Sequence, residues 1–179
     1  DRLRERASVD FAPGYTLGSG TDVALREEAV GVAAHSEVTL LFLGLPDGAE
    51  SEGYDRARLE LPDDQLALVA AVAAVNPRVV VALTNGGVVT LEPWHDSVAG
   101  ILECWLLGQG SGSAIVDVVF GEANPSGRLA ESIPFRLQDT PSYLNFPGDG
   151  DVVRYGEGIF VGYRYYETAA VPVRYPFGF

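Results

Sequence analysis

The chain has 179 residues, 47% of them apolar and 10% aromatic, and a net charge of −13 set by 25 acidic against 12 basic residues, every basic one an arginine. That length suits one domain burying roughly 70% of its unfolded surface, and the composition is globular rather than disordered. So acidic a surface repels phosphate backbones and anionic membranes, which argues against nucleic-acid and membrane partners, and no apolar run reaches the ~18 residues of a spanning helix.

Val9-Asp10-Phe11 is a short strand candidate, followed by the turn residues Pro13-Gly14 and Gly18-Ser19-Gly20. Thr21 or Asp22 can cap a helix running to about Ala34, with Val23, Val30 and Ala33 toward the core. The run around Val38-Thr39-Leu40-Leu41-Phe42-Leu43 is nearly continuous in apolar residues, as befits a strand buried on both faces. Pro62-Asp63-Asp64 opens a second helix to about Val75, since proline suits a first turn and acidic residues there complement the helix dipole. Leu66, Val69, Val72 and Ala73 share one of its faces, and Asn76-Pro77 stops it. Arg78 to Thr84 is a second buried strand, so the two strands and their helix form a right-handed βαβ unit.

Ala99 to Trp105 reads as a third strand, although Glu103 within it suits a helix equally. Gly108 to Gly112 is a glycine-rich turn, Ser113 to Phe120 a short helix, and Arg128 to Ile133 a further strand candidate, an antiparallel edge. From Pro134 onward, Pro, Gly and aromatic residues dominate with little periodicity. So many rings suit an arm that wraps the sheet or packs against another surface.

Between the first strand and the second helix lies Glu50-Ser51-Glu52-Gly53-Tyr54-Asp55-Arg56. In an α/β protein ligands meet the loops at the carboxyl ends of parallel strands, so chemistry is expected here. Two carboxylates two residues apart are most often a solvated acidic loop; it is the surrounding pattern that lifts this pair above that reading.

Other constellations carry less. Gly108, Gly110 and Gly112 imitate a dinucleotide loop, but the third glycine comes one residue early and no acidic residue ends a strand about 20 residues later. Two scattered histidines, His35 and His95, make neither a metal site nor a triad, and Ser111 and Ser113 lack the elbow pattern of a serine nucleophile. No cofactor and no metal is therefore expected. Trp94 could wall a sugar site but suits core packing better. Cys104, the only cysteine, excludes an intrachain disulfide, reads as a small buried residue, and leans toward a reducing, cytoplasmic compartment. No signal peptide is visible, and a chain opening at Asp1 with no Met anywhere reads as a segment of something longer.

The run Glu52-Gly53-Tyr54-Asp55-Arg56, with Leu59, Leu61, Pro62 and Gln65 after it, resembles the α/β-sandwich domain of glycoside hydrolase family 3, the β-glucosidase-like retaining glycosidases. So do, in the same order, Asn85-Gly86-Gly87 with Pro93-Trp94, Gly108-Gln109 with Gly112, Asp117 to Gly121, Asn124 to Leu129, and Tyr155 to Tyr166. The resemblance covers nearly the whole of residues 1–179 as one such C-terminal domain. It implies an α/β sandwich with a mainly parallel sheet of about five or six strands and helices on both faces.

It also implies that Glu52 is the general acid/base, with Glu50 the alternative, and that Tyr54, Asp55 and Arg56 bind substrate or orient the loop. Gly53 would allow a tight backbone path, Tyr54 would partly desolvate the carboxyl, and Asp55-Arg56 would pair locally or hold neighbouring loops. In this family the nucleophile is an aspartate in a Ser-Asp-Trp-type motif on a preceding (β/α)8-type barrel, and no such motif occurs here. The partners so implied are that N-terminal barrel and a β-glucoside or oligosaccharide. The competing reading is a non-catalytic carbohydrate-binding or structural α/β module, since one architecture hosts many functions.

Overall fold

A computed structural model of the chain describes residues 2–17, 20 and 22–179. Two compact units are formed, one from Asp1–Arg56, Leu61–Gly87 and Pro93–Pro125, the other from Ala57–Glu60, Val88–Glu92 and Ser126–Phe179. No helix among the described residues is long and apolar enough to cross a membrane.

The first unit is α/β. Helix α1 (Val23–His35) leads into β1 (Thr39–Gly44), α2 (Asp63–Ala73) crosses to β2 (Val79–Thr84), and β3 (Gly100–Glu103) precedes α3 (Ser111–Val119). The strands are all parallel in the order β1-β2-β3, with Thr39 opposite Val79 and Val80 opposite Gly100. The βαβ reading of 38–84 and the third strand are thus found, with Glu103 as the last strand residue.

Alternation sets the two faces of the sheet. Leu41, Leu43, Val79, Val81 and Leu83 are buried along one set of positions. On the alternate set, Ala82 packs with Cys104 and with Ile115 of α3, flanked by Leu40 and Leu102. α2 runs beside α1 and buries Gln65, Leu68, Val69 and Val72.

Polar side chains tie these elements where hydrophobic pattern alone would not. Asp22 caps α1 by accepting from the Ala24 and Leu25 amides at 3.0 and 3.3 Å. Buried Asn76, read in the sequence only as part of a helix stop, donates to the Ala33 and Ser36 carbonyls at 2.9 Å each and accepts from the Arg78 amide at 2.8 Å. It therefore fastens the end of α1 to the start of β2.

The second unit carries β4 (Ile133–Pro134) and β5 (Val173–Tyr175), paired antiparallel, and the short helix α4 (Tyr163–Thr168). Ser132 accepts from the Phe177 amide at 3.1 Å, Arg174 pairs with Glu92 and lies 4.8 Å over the Phe135 ring, and Tyr163 stacks on Phe177 at 4.7 Å.

Several expectations change. Val9 to Phe11 is not a strand, and Phe11 is 76% exposed. Val23, expected to face the core, is exposed, because it is the first helical residue and precedes the packed turns. The strand expected over 128–133 shrinks to two residues, where Pro134 lacks the amide that would extend the ladder. The described residues form one three-stranded parallel sheet and one two-stranded antiparallel sheet, rather than a single sheet of five or six. Gly18-Ser19 and Thr21, read as turn and alternative cap, lie outside the described residues.

Candidate active site

The three parallel strands end side by side, at Gly44, Thr84 and Glu103, and in α/β proteins ligands meet the loops that leave such ends. Gly44 is glycine for a steric reason: a Cβ there would fall 2.0 Å from the Thr84 carbonyl oxygen. On its other side Gln65 accepts from the Gly44 amide at 3.0 Å and donates to its carbonyl at 2.8 Å, so the origin of the loop after β1 is clamped.

Within that loop Ser51 and Tyr54 form an isolated antiparallel bridge, which makes Glu52-Gly53 the tip of a tight turn. Glu52 is exposed there. Among the described residues its carboxylate is held by no hydrogen bond or ion pair. The turn is braced by the Ser51 hydroxyl, which accepts from the Gly53 amide at 3.2 Å, and by the Tyr54 hydroxyl, which donates to the Gly48 carbonyl. Tyr54 thus straps the loop. A Cβ at Gly53 would meet Ser51 Oγ at an ordinary 3.6 Å, so the tightness here is that of the backbone turn and not of the space around the glycine.

Glu50 lives differently. It is half-buried, and its two oxygens accept from the Gly86 and Gly87 amides at 2.8 and 2.7 Å, with Arg56 Nη1 at 3.6 Å from one of them. Hydrogen bonds to a charged acceptor contribute about 1.5–3 kcal/mol each. Arg56 therefore serves the loop through Glu50, while Asp55 is exposed beside it.

The Gly86-Gly87 amides are presented by Asn85, which is 0% exposed. Its Nδ2 donates to the Gly87 carbonyl at 3.0 Å and reaches Glu103 Oε2 at 3.5 Å, while its Oδ1 is buried with no hydrogen-bond partner among the described residues. Glu103 accepts from the Trp105 amide at 3.0 Å. Burial pushes the Glu103 carboxyl above its ordinary range, against the lowering effect of bonds from Trp105, Asn85 and Cys104. The neighbouring Cys104 thiol is pushed up to about 11, chiefly by burial and then by Glu103, so it stays protonated and inert.

An apolar cavity of about 460 Å³ opens at these strand ends, lined by Phe42, Thr84, Trp105 and Leu107 among others. Trp94, weighed as a sugar wall, is buried in the core instead. His35 bonds the Gly31 carbonyl and His95 its neighbour Asp96, and no group of three or more His, Cys, Asp or Glu able to hold a metal occurs among the described residues.

The structure thus gathers Glu50 and Arg56 with Asn85, Gly86, Gly87 and Glu103, and leaves Glu52 at the exposed tip. Sequence reasoning passed over Glu103 and Asn85 as site residues. Their signals were a carboxylate inside an apolar strand and an Asn closing another strand before two glycines.

Comparison with known proteins identifies the family. The model of the glycosyl hydrolase family 3 C-terminal domain matches residues 2–163. An exo-α-(1→6)-L-arabinopyranosidase of Bifidobacterium longum is 54% identical over 100% of this chain and 24% of its own length. Thermostable β-glucosidase B of Acetivibrio thermocellus is 48% identical over 97% of the chain and 23% of its own length. The solved family 3 β-glucosidase of Bifidobacterium adolescentis matches with a TM-score of 0.94 and 52% identity, over 99% of this chain and 26% of that one. A Kluyveromyces marxianus β-glucosidase in complex with glucose matches with a TM-score of 0.84 and 40% identity, over 90% of this chain and 19% of that one. The chain spans about a quarter of the length of such relatives. It belongs to glycoside hydrolase family 3, as that family's C-terminal domain.

Proposed function

We propose that this domain supplies the acid/base carboxylate, Glu52, of a retaining β-glucosidase-like exo-glycosidase that removes terminal β-linked sugars. The observation that carries the reading is the contrast within one loop. Glu50 is committed to two backbone amides, whereas Glu52 stands exposed and unengaged at the tip of a braced turn, at the carboxyl ends of the strands. A carboxyl that must first give and then take a proton needs such access.

In a retaining mechanism the protonated Glu52 donates to the glycosidic oxygen as the bond to the anomeric carbon breaks. A second carboxylate attacks that carbon from about 5–5.5 Å away, and Glu52 then deprotonates the water that releases the sugar. The attacking group is an aspartate on an N-terminal (β/α)8-type barrel, a partner consistent with the chain's being about a quarter the length of its relatives. Tyr54 and Arg56 orient the loop, and Asp55 lies exposed where it can meet substrate.

The test is Glu52→Ala in the full-length protein. Hydrolysis of a glycoside with a poor leaving group should slow ~10²–10⁴-fold. An activated aryl glycoside should suffer less in its first step, and azide should partly restore the second, which then needs no general base. Relatives of similar identity are named for different sugars, so an aryl β-glucoside and an aryl α-L-arabinopyranoside are assayed side by side. If Glu50→Ala gives this pattern and Glu52→Ala is mild, the assignment fails. If neither matters, the domain is a binding or structural module.

A further inference from the structure

We infer that Glu50 is a positioning residue for the acid/base carboxylate, acting as a clamp between two strand-end loops, an inference that rests on the reading of Glu52 given above. Glu50 stands two residues before Glu52, at the foot of the turn whose tip Glu52 occupies. Its carboxylate grips the Gly86 and Gly87 amides, 36 and 37 residues away in sequence, at the end of the central strand of the parallel sheet.

Those amides are not loose. Asn85, fully buried, holds the Gly87 carbonyl at 3.0 Å and leans on Glu103 at 3.5 Å, and Glu103 is itself bonded to the Trp105 amide at 3.0 Å. A continuous polar chain thus runs from the end of β3, through the end of β2, to the loop after β1. Glu50 is its last link before the exposed turn. Arg56, at the far side of the same turn, lies 3.6 Å from Glu50, so both feet of the turn meet at this carboxylate. With Gly44 clamped by Gln65, the loop is fixed at its origin and at Glu50, and the turn that carries Glu52 is left exposed beyond the clamp.

The glycines are part of the device. A Cβ at Gly86 would lie 3.1 Å from Glu50 Oε2 and 3.3 Å from Leu106 Cδ1, so an alanine there pushes directly on the clamping carboxylate. Gly86→Ala therefore disturbs the Glu50 clamp without replacing either glutamate.

The experiment compares Glu50→Gln, Gly86→Ala and Glu52→Gln in the full-length protein, on a glycoside with a poor leaving group. Glutamine keeps the size of Glu50 but turns one acceptor into a donor facing an amide, and removes the charge that meets Arg56. A misplacement of the order of 1 Å can cost about 10²-fold, so Glu50→Gln should lower kcat roughly 10–100-fold and Gly86→Ala roughly 3–10-fold, with KM little changed. Both should keep the descending alkaline limb of the pH profile of kcat/KM, because the general acid is still present; Glu52→Gln should abolish it. Thermal unfolding of each variant separates lost geometry from lost fold.

If Glu50→Gln and Gly86→Ala both stay within about twofold of the parent, the clamp is irrelevant and the inference falls, while the reading of Glu52 stands. If Glu50→Gln itself removes the alkaline limb and is rescued by azide, Glu50 is the acid/base and both readings fall. Should Glu50→Gln not fold, Gly86→Ala decides: a fall in kcat at unchanged KM supports the clamp, and unchanged kcat overturns it.

Discussion

Three carboxylates near the strand ends of this domain have been given three environments, and each environment prescribes a behaviour. Glu52 is exposed, Glu50 is held by amides and an arginine, and Glu103 is half-buried behind them. For Glu103 burial outweighs the bonds that favour the charge, so its folded-state pKa lies above the ordinary 4.5. A raised pKa means that the folded protein holds its proton more tightly than the unfolded chain does. Glu103's favourable contribution is therefore full below the unfolded value and is lost as pH rises through the folded one. Urea unfolding of the protein and of Glu103→Gln across this range should show the parent losing stability relative to the variant as pH climbs above 4.5, with a slope of at most about 1.4 kcal/mol per pH unit. A difference between the two that does not vary with pH would contradict this account. The motif ranks Glu52 ahead of Glu50 as the acid/base but does not show what holds Glu50, because its partners are two amides in the loop after a different strand.

At the scale of elements, the edge of the parallel sheet is closed by a side chain that periodicity does not reveal. β1 is an outer strand, and the outward amide and carbonyl of Gly44 are taken by Gln65, 2% exposed on the buried face of α2. Gln65→Leu would keep volume and apolar contact but leave both backbone groups without partners. Each buried unsatisfied group costs about 1–3 kcal/mol, so the variant should unfold at lower urea with a loss of about 2–6 kcal/mol. A change below about 0.5 kcal/mol, the scale of an ordinary surface substitution, would show that water serves Gly44 as well. Gln65 also illustrates what was legible in the sequence. The apolar runs of β1 and β2, the helix between them and the strand ending at Glu103 follow from side-chain pattern, because their cores are built from local alternation and helical spacing. Gln65, Asn76 and Asn85 were not visible as structural residues, since a buried polar side chain is defined by backbone groups distant in sequence. β4 and β5 were missed in their true extent for a related reason. Two- and three-residue strands carry no period of their own and exist through pairing across some forty residues.

At the scale of the whole molecule, the proposed function makes this domain half of a catalytic pair, and half of a pair is not half of a catalyst. Purified 1–179 should show no measurable turnover of an aryl β-glucoside, even though it carries Glu52. A lone general acid can protonate the departing oxygen, but nothing then attacks the anomeric carbon or stabilises the oxocarbenium-like transition state. Groups that act as a unit are strongly non-additive, so the loss of the nucleophile is expected to remove catalysis rather than to diminish it. Substrate retention points the same way. Glu52 sits at the exposed tip of its turn rather than in an enclosed pocket. A site open to water also gives up the low-dielectric surroundings in which a positioned carboxyl is most effective. The assay is run beside a Glu52→Gln preparation purified identically, so that a contaminating glycosidase would appear equally in both. Turnover present in the parent and absent from Glu52→Gln would overturn the argument, because it would require a nucleophile within this chain. The acidic residues of the same loop, Glu50, Asp47 and Asp55, would then be the first to replace.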